Sequence, residues 1–256
     1  MENASTANAT LITPPAKPQQ EGPWAPWWHT LLLVLWIAFT SWSTATAITA
    51  GAAPKSTMIS RYLQTILMQW IVVLYVWWGL RLRGRNLGDL IGRKWRSIED
   101  VLLDIAIAAG FWLVSSGILL GVQKLLGLIS QQSIKDRLAS FSLVAPTTAR
   151  ELALFFLVAF TAGFCEEIIF RGYLQRQFIF LSRNACAGII ISAAIFGLAH
   201  GYQGVRLMIV LACYGALFGT LAHLRRSLIP GMMAHGWQDS LTGAVLYFAK
   251  YLPLPK

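Results

Sequence analysis

Acidic side chains are scarce in this chain. Eleven Asp and Glu stand among 256 residues, and only four of them, Glu151, Glu166, Glu167 and Asp239, fall in the last 106. Charged residues of both signs make up 12%, where a soluble domain carries about 25%. That shortage argues against a soluble globular fold. Cysteine is equally rare: Cys165, Cys186 and Cys213 all lie in apolar runs with no CxxC spacing, so no redox or thiolate-zinc motif is present. They read as small buried hydrophobes. Cys165 adjoins the Glu166-Glu167 doublet, but a thiol in apolar surroundings is inert unless a base or cation is aimed at it. No basic segment followed by a cleavage site opens the chain, so no signal peptide is read. No internal repeat of the transporter kind is visible.

Apolar surface is what the sequence has in quantity: 56% hydrophobic residues, eleven Trp and a mean hydropathy of +0.56. The length accommodates about seven spans of roughly 20 residues in an all-α, polytopic membrane bundle. The net charge of +10 does not imply nucleic acid, because the cations sit in short loops between apolar runs, where Lys and Arg set membrane orientation.

A polar, unpatterned tail covers residues 1–28, with 1–22 expected to be disordered. "WAPWWHT" (24–30) reads as an interfacial aromatic belt with His29 as a snorkelling polar tip. Spans are expected near 30–50, 60–80, 101–122, 149–176, 185–200, 205–223 and 229–249. The 81–100 loop, six basic residues against three acidic, suits a surface-lying amphipathic segment. Span 3 has Asp104 near its entry, and a polar connector occupies 123–147. Thr148 and Glu151 form a capping box, which gives Glu151 a structural task. Residues 29–148 thus form an amino-terminal membrane half, 149–249 a second unit, and 250–256 a short tail. With the 81–100 loop cytoplasmic, that side collects twelve of the 21 basic residues, placing the amino terminus inside and the carboxyl terminus outside.

Three spaced patterns carry chemistry. In Glu166-Glu167-x-x-x-Arg171, Glu167 and Arg171 share a helix face and can pair, while Glu166 is turned about 100° away and is free to face a cavity. A charge at the bilayer centre costs roughly +2.5 to +3.5 kcal/mol, so the second carboxylate asks for a role. Phe196 and His200, and then His235 and Asp239, each stand at i and i+4. His223, beside Arg225 and Arg226, reads as a plain helix-end histidine. Glu166 lies 17 residues before Arg183 and His200 lies 17 after it, so antiparallel helices bring them to similar depth. His235 is only eight residues past Ser227, roughly 12 Å against roughly 25 Å for the other two. A longer span 4 or an irregular start at Pro230-Gly231 would close that gap. A carboxylate with two imidazoles can act as a general base on water with the imidazoles stabilising an oxyanion. Equally, Glu166, His200 and His235 can hold a divalent metal such as zinc.

Taken in order, these motifs resemble the CAAX-protease and bacteriocin-processing (CPBP, or Abi) family of intramembrane endopeptidases. "EEIIFRGYLQ" and "SLIPGMMAH" strengthen the likeness, which covers about Ala149 to Leu246. The resemblance implies hydrolysis of a peptide bond in a membrane-associated, in some branches lipidated, peptide or protein, in the lipid setting of a prokaryotic cell membrane. It makes Glu166 the water-activating base aided by His200, His235 with the residue four beyond it the oxyanion pair, and Glu167 and Arg171 their support. The family often has Asn where Asp239 stands. An ionised Asp cannot donate to an oxyanion, so Asp239 must be protonated, orient His235 or bind metal. Metal-dependent and metal-free glutamate mechanisms both stay open. So do two other readings: a catalytically silent immunity or scaffold protein of the same fold, and a transporter or proton relay.

Overall fold

The computed structural model describes residues 22–51, 56–130 and 144–249. The expected tail before residue 22, most of the polar connector and the segment 250–256 lie outside the described residues. The described residues form seven apolar helices and a short one: α1 (Trp27–Thr49), α2 (Met58–Arg81), α3 (Leu87–Ile91), α4 (Ile98–Leu125), α5 (Ala149–Glu166) continuing through a π-helical turn (Glu167–Leu174) into α6 (Gln175–Ser182), α7 (Ala185–Ala199), α8 (Val205–Arg225) and α9 (Ile229–Ala249). Five continuous helices are long and apolar enough to cross a membrane. Their outward faces expose Leu35, Trp36, Leu67, Leu113, Leu157 and many similar side chains. Apolar exposure on that scale marks a lipid-facing surface. The protein is an integral membrane helical bundle.

Helix boundaries follow local chemistry. Thr148 accepts from the Glu151 N–H while Glu151 reaches back to the cap, the capping box read from the sequence. Asn184 caps α7 through the Ala187 N–H at 3.0 Å. Pro230 sits in the first turn of α9, where its missing N–H costs nothing. The span from Ala149 to Ser182 is 34 residues, about 51 Å along its axis. A bilayer core is about 30 Å thick, so one end of this helix projects.

The π turn is the mechanical centre, since all eight of its residues are buried. Four other elements hold it. From α1, His29 and Thr30 each lie 2.8 Å from the Tyr173 hydroxyl. From α7, Ser192 donates to the Phe170 carbonyl at 2.7 Å. From α8, the Gly219 carbonyl accepts from Gln175 at 2.9 Å. From α3, Leu90 packs on Gly172. His29 is therefore no interfacial tip. It is fully buried, stacked on Tyr75, packed against Gly79, and bonded through Nε2 to the Tyr75 carbonyl at 2.9 Å. A carbonyl only accepts, so Nε2 carries the proton and Nδ1 accepts from Tyr173. The neighbouring Trp27 and Trp28 do face outward; the belt composition hid a core histidine among them.

The 81–97 segment sends Leu90 fully into the core, and its Ile91 carbonyl accepts from the Leu228 N–H at 2.9 Å. Asp104, buried on α4, pairs with Arg225 at 3.0 Å and accepts from the Trp95 indole at 2.9 Å. His223 is exposed at the end of α8. Of the three cysteines only Cys165 is buried; Cys186 is exposed and Cys213 intermediate, so the small-buried-hydrophobe reading fits one of them.

α5 packs most extensively on α9. The crossing is close because Gly163 and Gly236 face each other: a Cβ on Gly163 would stand 2.7 Å from the Gly236 nitrogen and 2.9 Å from the Met232 carbonyl oxygen. Gly163→Val is expected to lower the thermal midpoint of detergent-solubilised protein by several degrees, reflecting about 1–3 kcal/mol of overpacking. Gly110→Val, where a Cβ meets nothing within 4 Å, is the comparison and should leave the midpoint unchanged.

Candidate functional site

Because α5 and α9 approach so closely, His235 reaches the Glu doublet, and the depth gap suggested by loop lengths closes. The projecting 34-residue helix accounts for it: the doublet sits well inside that helix, near the level where α9 begins. His235, 3% exposed, places Nδ1 3.0 Å from Glu167 Oε1. Arg171 Nη1 lies 3.0 Å from the same oxygen. Glu167 thus serves two cations or donors at once. Since a carboxylate only accepts, Nδ1–H donates, and Nε2 is left facing Glu166 Oε2 at 3.8 Å and Asp239 Oδ2 at 3.7 Å.

Arg171 is itself enclosed. Its guanidinium lies 4.3 Å from the Phe196 ring centre and 5.3 Å from that of Phe218, so aromatic faces supply part of the solvation that burial removes. Gly231 keeps room beside the second Glu167 oxygen, where a Cβ would stand at 3.2 Å. That oxygen, Oε2, has no hydrogen-bond partner among the described residues, and neither has Glu166 Oε2.

Four of the six residues read from the sequence, Glu166, Glu167, His235 and Arg171, are linked by these contacts, and Asp239 joins them at the more open edge. His200 is brought near but not into contact. Its ring lies 4.8 Å from the Phe196 centre, and His235 lies 6.3 Å from the same ring. His200 Nδ1 donates to the Phe196 carbonyl at 2.9 Å, so its Nε2 is also the free nitrogen. Both imidazoles are therefore fixed through Nδ1, the arrangement in which a second partner orients a functional histidine.

Three further side chains belong to this neighbourhood. Gln69 on α2 donates to Glu166 Oε1 at 3.3 Å. Tyr214 is buried with its ring 5.9 Å from His235 and its hydroxyl unpartnered among the described residues. Tyr202, in the turn after His200, has its phenol pushed above the ordinary range by partial burial and by the Glu166 and Asp239 carboxylates. A Gln inside an apolar run was the available sequence signal for Gln69, since a polar side chain in a span faces the bundle interior. Nothing in their spacing marks Tyr202 or Tyr214. Cys165 is buried beside Glu166 and forms no hydrogen bond among the described residues.

The donor set of two imidazoles and three carboxylates is of a kind that binds zinc. As arranged, though, no three His, Cys, Asp or Glu side chains among the described residues are gathered so as to hold a metal ion. His200 Nδ1 is bonded to the Phe196 carbonyl, and Glu167 is committed to Arg171 and His235.

A buried carboxylate–imidazole cluster inside a polytopic helical bundle defines the class: a membrane protein whose titratable groups converge between helices rather than on a surface. Residues 148–241, just over a third of the chain, match the family model of the Rce1-like type II CAAX prenyl endopeptidases. The matched segment contains all six motif residues, and it agrees with the membrane endopeptidase family that those motifs resemble. No curated protein and no solved structure matches the chain.

Removing one partner of a buried ion pair strands the other. Arg171→Met is expected to destabilise the protein by about 3–5 kcal/mol, and adding Glu167→Leu to it should recover part of that loss. Thermal unfolding of the two variants beside the wild type measures the difference.

Proposed function

We propose that the protein is an intramembrane endopeptidase whose water is activated by Glu166. The observation that carries this reading is the pairing of two oriented groups. Glu166 presents a buried oxygen with no hydrogen-bond partner among the described residues, and His235, aimed by Glu167 through Nδ1, presents Nε2 3.8 Å from it. An available base beside a fixed donor site is what hydrolysis of an amide requires.

In this mechanism Glu166 accepts a proton as the water oxygen attacks the peptide carbonyl carbon. The carbonyl electron pair moves to oxygen, and His235 in its doubly protonated form donates from Nε2 to that oxyanion. Collapse breaks the C–N bond, and the departing nitrogen takes the proton from Glu166. His200, fixed on Phe196, uses its free Nε2 to help orient the water. Gln69 holds the other Glu166 oxygen. Asp239 stands on the Nε2 side of His235, so orientation of that ring falls to Glu167. Asp239 then acts on the oxyanion as a protonated acid, where the family often has Asn.

The substrate is a peptide or lipidated protein segment in the membrane, in keeping with the prenyl endopeptidase family that the carboxyl-terminal segment resembles. The bias of basic residues between the two sides supports an amino terminus in the cytoplasm. As arranged, Glu166, His200 and His235 are not gathered to hold a divalent metal, and no step above passes through one.

The test is cleavage of a peptide library, prenylated and unmodified, by purified protein. Glu166→Gln is expected to lower the rate by about 10²–10⁴-fold while leaving thermal stability unchanged. Wild-type rates retained by that variant would refute the assignment. Activity that survives rigorous chelation identifies the metal-free route, and activity lost on chelation and restored by zinc identifies the metal route.

A further inference from the structure

A cavity of about 320 Å³ lies at the end of the bundle where α6 and α8 finish and α3 docks; it is lined by Trp24, Asp89, Arg171, Arg176, His223 and Arg226 among others. None of Glu166, His200, His235 or Asp239 borders it. We propose that this cavity is a binding site for a phosphate-bearing anion.

Charge makes the case. Three arginines and a histidine meet one carboxylate, and that carboxylate is already engaged: Asp89 accepts from the Asn86 N–H at 2.8 Å as the cap of α3. Arg176 spends its donors on the neutral carbonyls of Asp89 and Leu90, at 2.7 Å each. Neither Arg176 nor Arg226 forms a salt bridge among the described residues. Arg171 at the inner end is 2% exposed, pairs with Glu167, and keeps Nη2 without a hydrogen-bond partner among the described residues. Arginine suits phosphate because its planar fork matches two anionic oxygens at once. Basic pockets between helices at the membrane boundary take up lipid head groups in this way. Because Arg171 also contacts Glu167, an anion bound to Arg171 is linked to His235 through two intervening side chains.

Two sources offer that chemistry, a free phosphate and an anionic lipid headgroup, and one experiment separates them. Full-length protein is unfolded thermally in neutral detergent with rising inorganic phosphate against chloride of equal ionic strength. It is then unfolded in phosphatidylcholine nanodiscs with and without phosphatidylglycerol. Arg226 ends α8 at φ 52° and Arg183 ends α6 at φ 53°, so Arg226→Asn and Arg183→Asn remove the same charge from the same left-handed backbone. Only Arg226 of the two borders the cavity.

Stabilisation by phosphate in detergent assigns the free anion, and stabilisation only with phosphatidylglycerol assigns the headgroup. In either case Arg226→Asn should weaken the half-maximal response about tenfold and Arg183→Asn should not. The proposal fails if neither arm stabilises the wild type. It fails also if Arg226→Asn responds like the wild type, or if Arg183→Asn weakens the response as much as Arg226→Asn.

Discussion

One buried carboxylate oxygen, Glu167 Oε1, sets the geometry of the site. It accepts from His235 and pairs with Arg171, each at 3.0 Å. A charge in the interior is tolerable only when matched and hydrogen-bonded. Glu167 is matched by Arg171 within its own helix and bonded to α9 by His235. That leaves Glu166, one residue earlier, without a pairing to Arg171, facing His235 Nε2 at 3.8 Å and Gln69. Adjacent carboxylates on one chain thus meet different partners because their side chains leave the helix on different faces.

The fixing of Glu167 depends in turn on a costly piece of backbone. π-helical turns are rare and occur mostly at functional sites. This one persists because its neighbours bind it from several sides: a serine on the Phe170 carbonyl, a histidine and a threonine on the Tyr173 hydroxyl, and Gln175 tied to α8. Two of those side chains, His29 and Thr30, come from α1, outside the segment that matches the endopeptidase family. Gln69 on α2 lies outside it too and touches Glu166 directly. The amino-terminal helices therefore do more than anchor the chain; they shape the turn and contact the proposed base.

The helices were legible in the sequence because an apolar run of roughly 20 residues matches the thickness of a bilayer core; they begin and end close to the expected residues, and five of them are long and apolar enough to cross a membrane. The Glu167–Arg171 pair was legible from its spacing of four. Its third member was not: once Arg171 accounted for Glu167, nothing local pointed to His235, 68 residues away. Loop lengths argued against that contact, since register between helices is set by close packing at Gly163 and Gly236 and by a helix that overshoots the bilayer. Neither quantity can be read from periodicity. His29 was misread because an aromatic, polar-tipped composition looks alike at an interface and in a core. His200 lies beside the Phe196 ring and within electrostatic reach of Asp239, but it forms no hydrogen bond to a carboxylate among the described residues.

The claim that Glu167 acts by aiming His235 is tested most directly by a double-mutant cycle on kcat/KM with Glu167→Gln and His235→Ala. If the carboxylate works through the imidazole, Glu167→Gln costs activity in the wild type and little more once His235 is gone, so the two losses are strongly non-additive. Losses that simply add would contradict the account, because Glu167 would then act without His235.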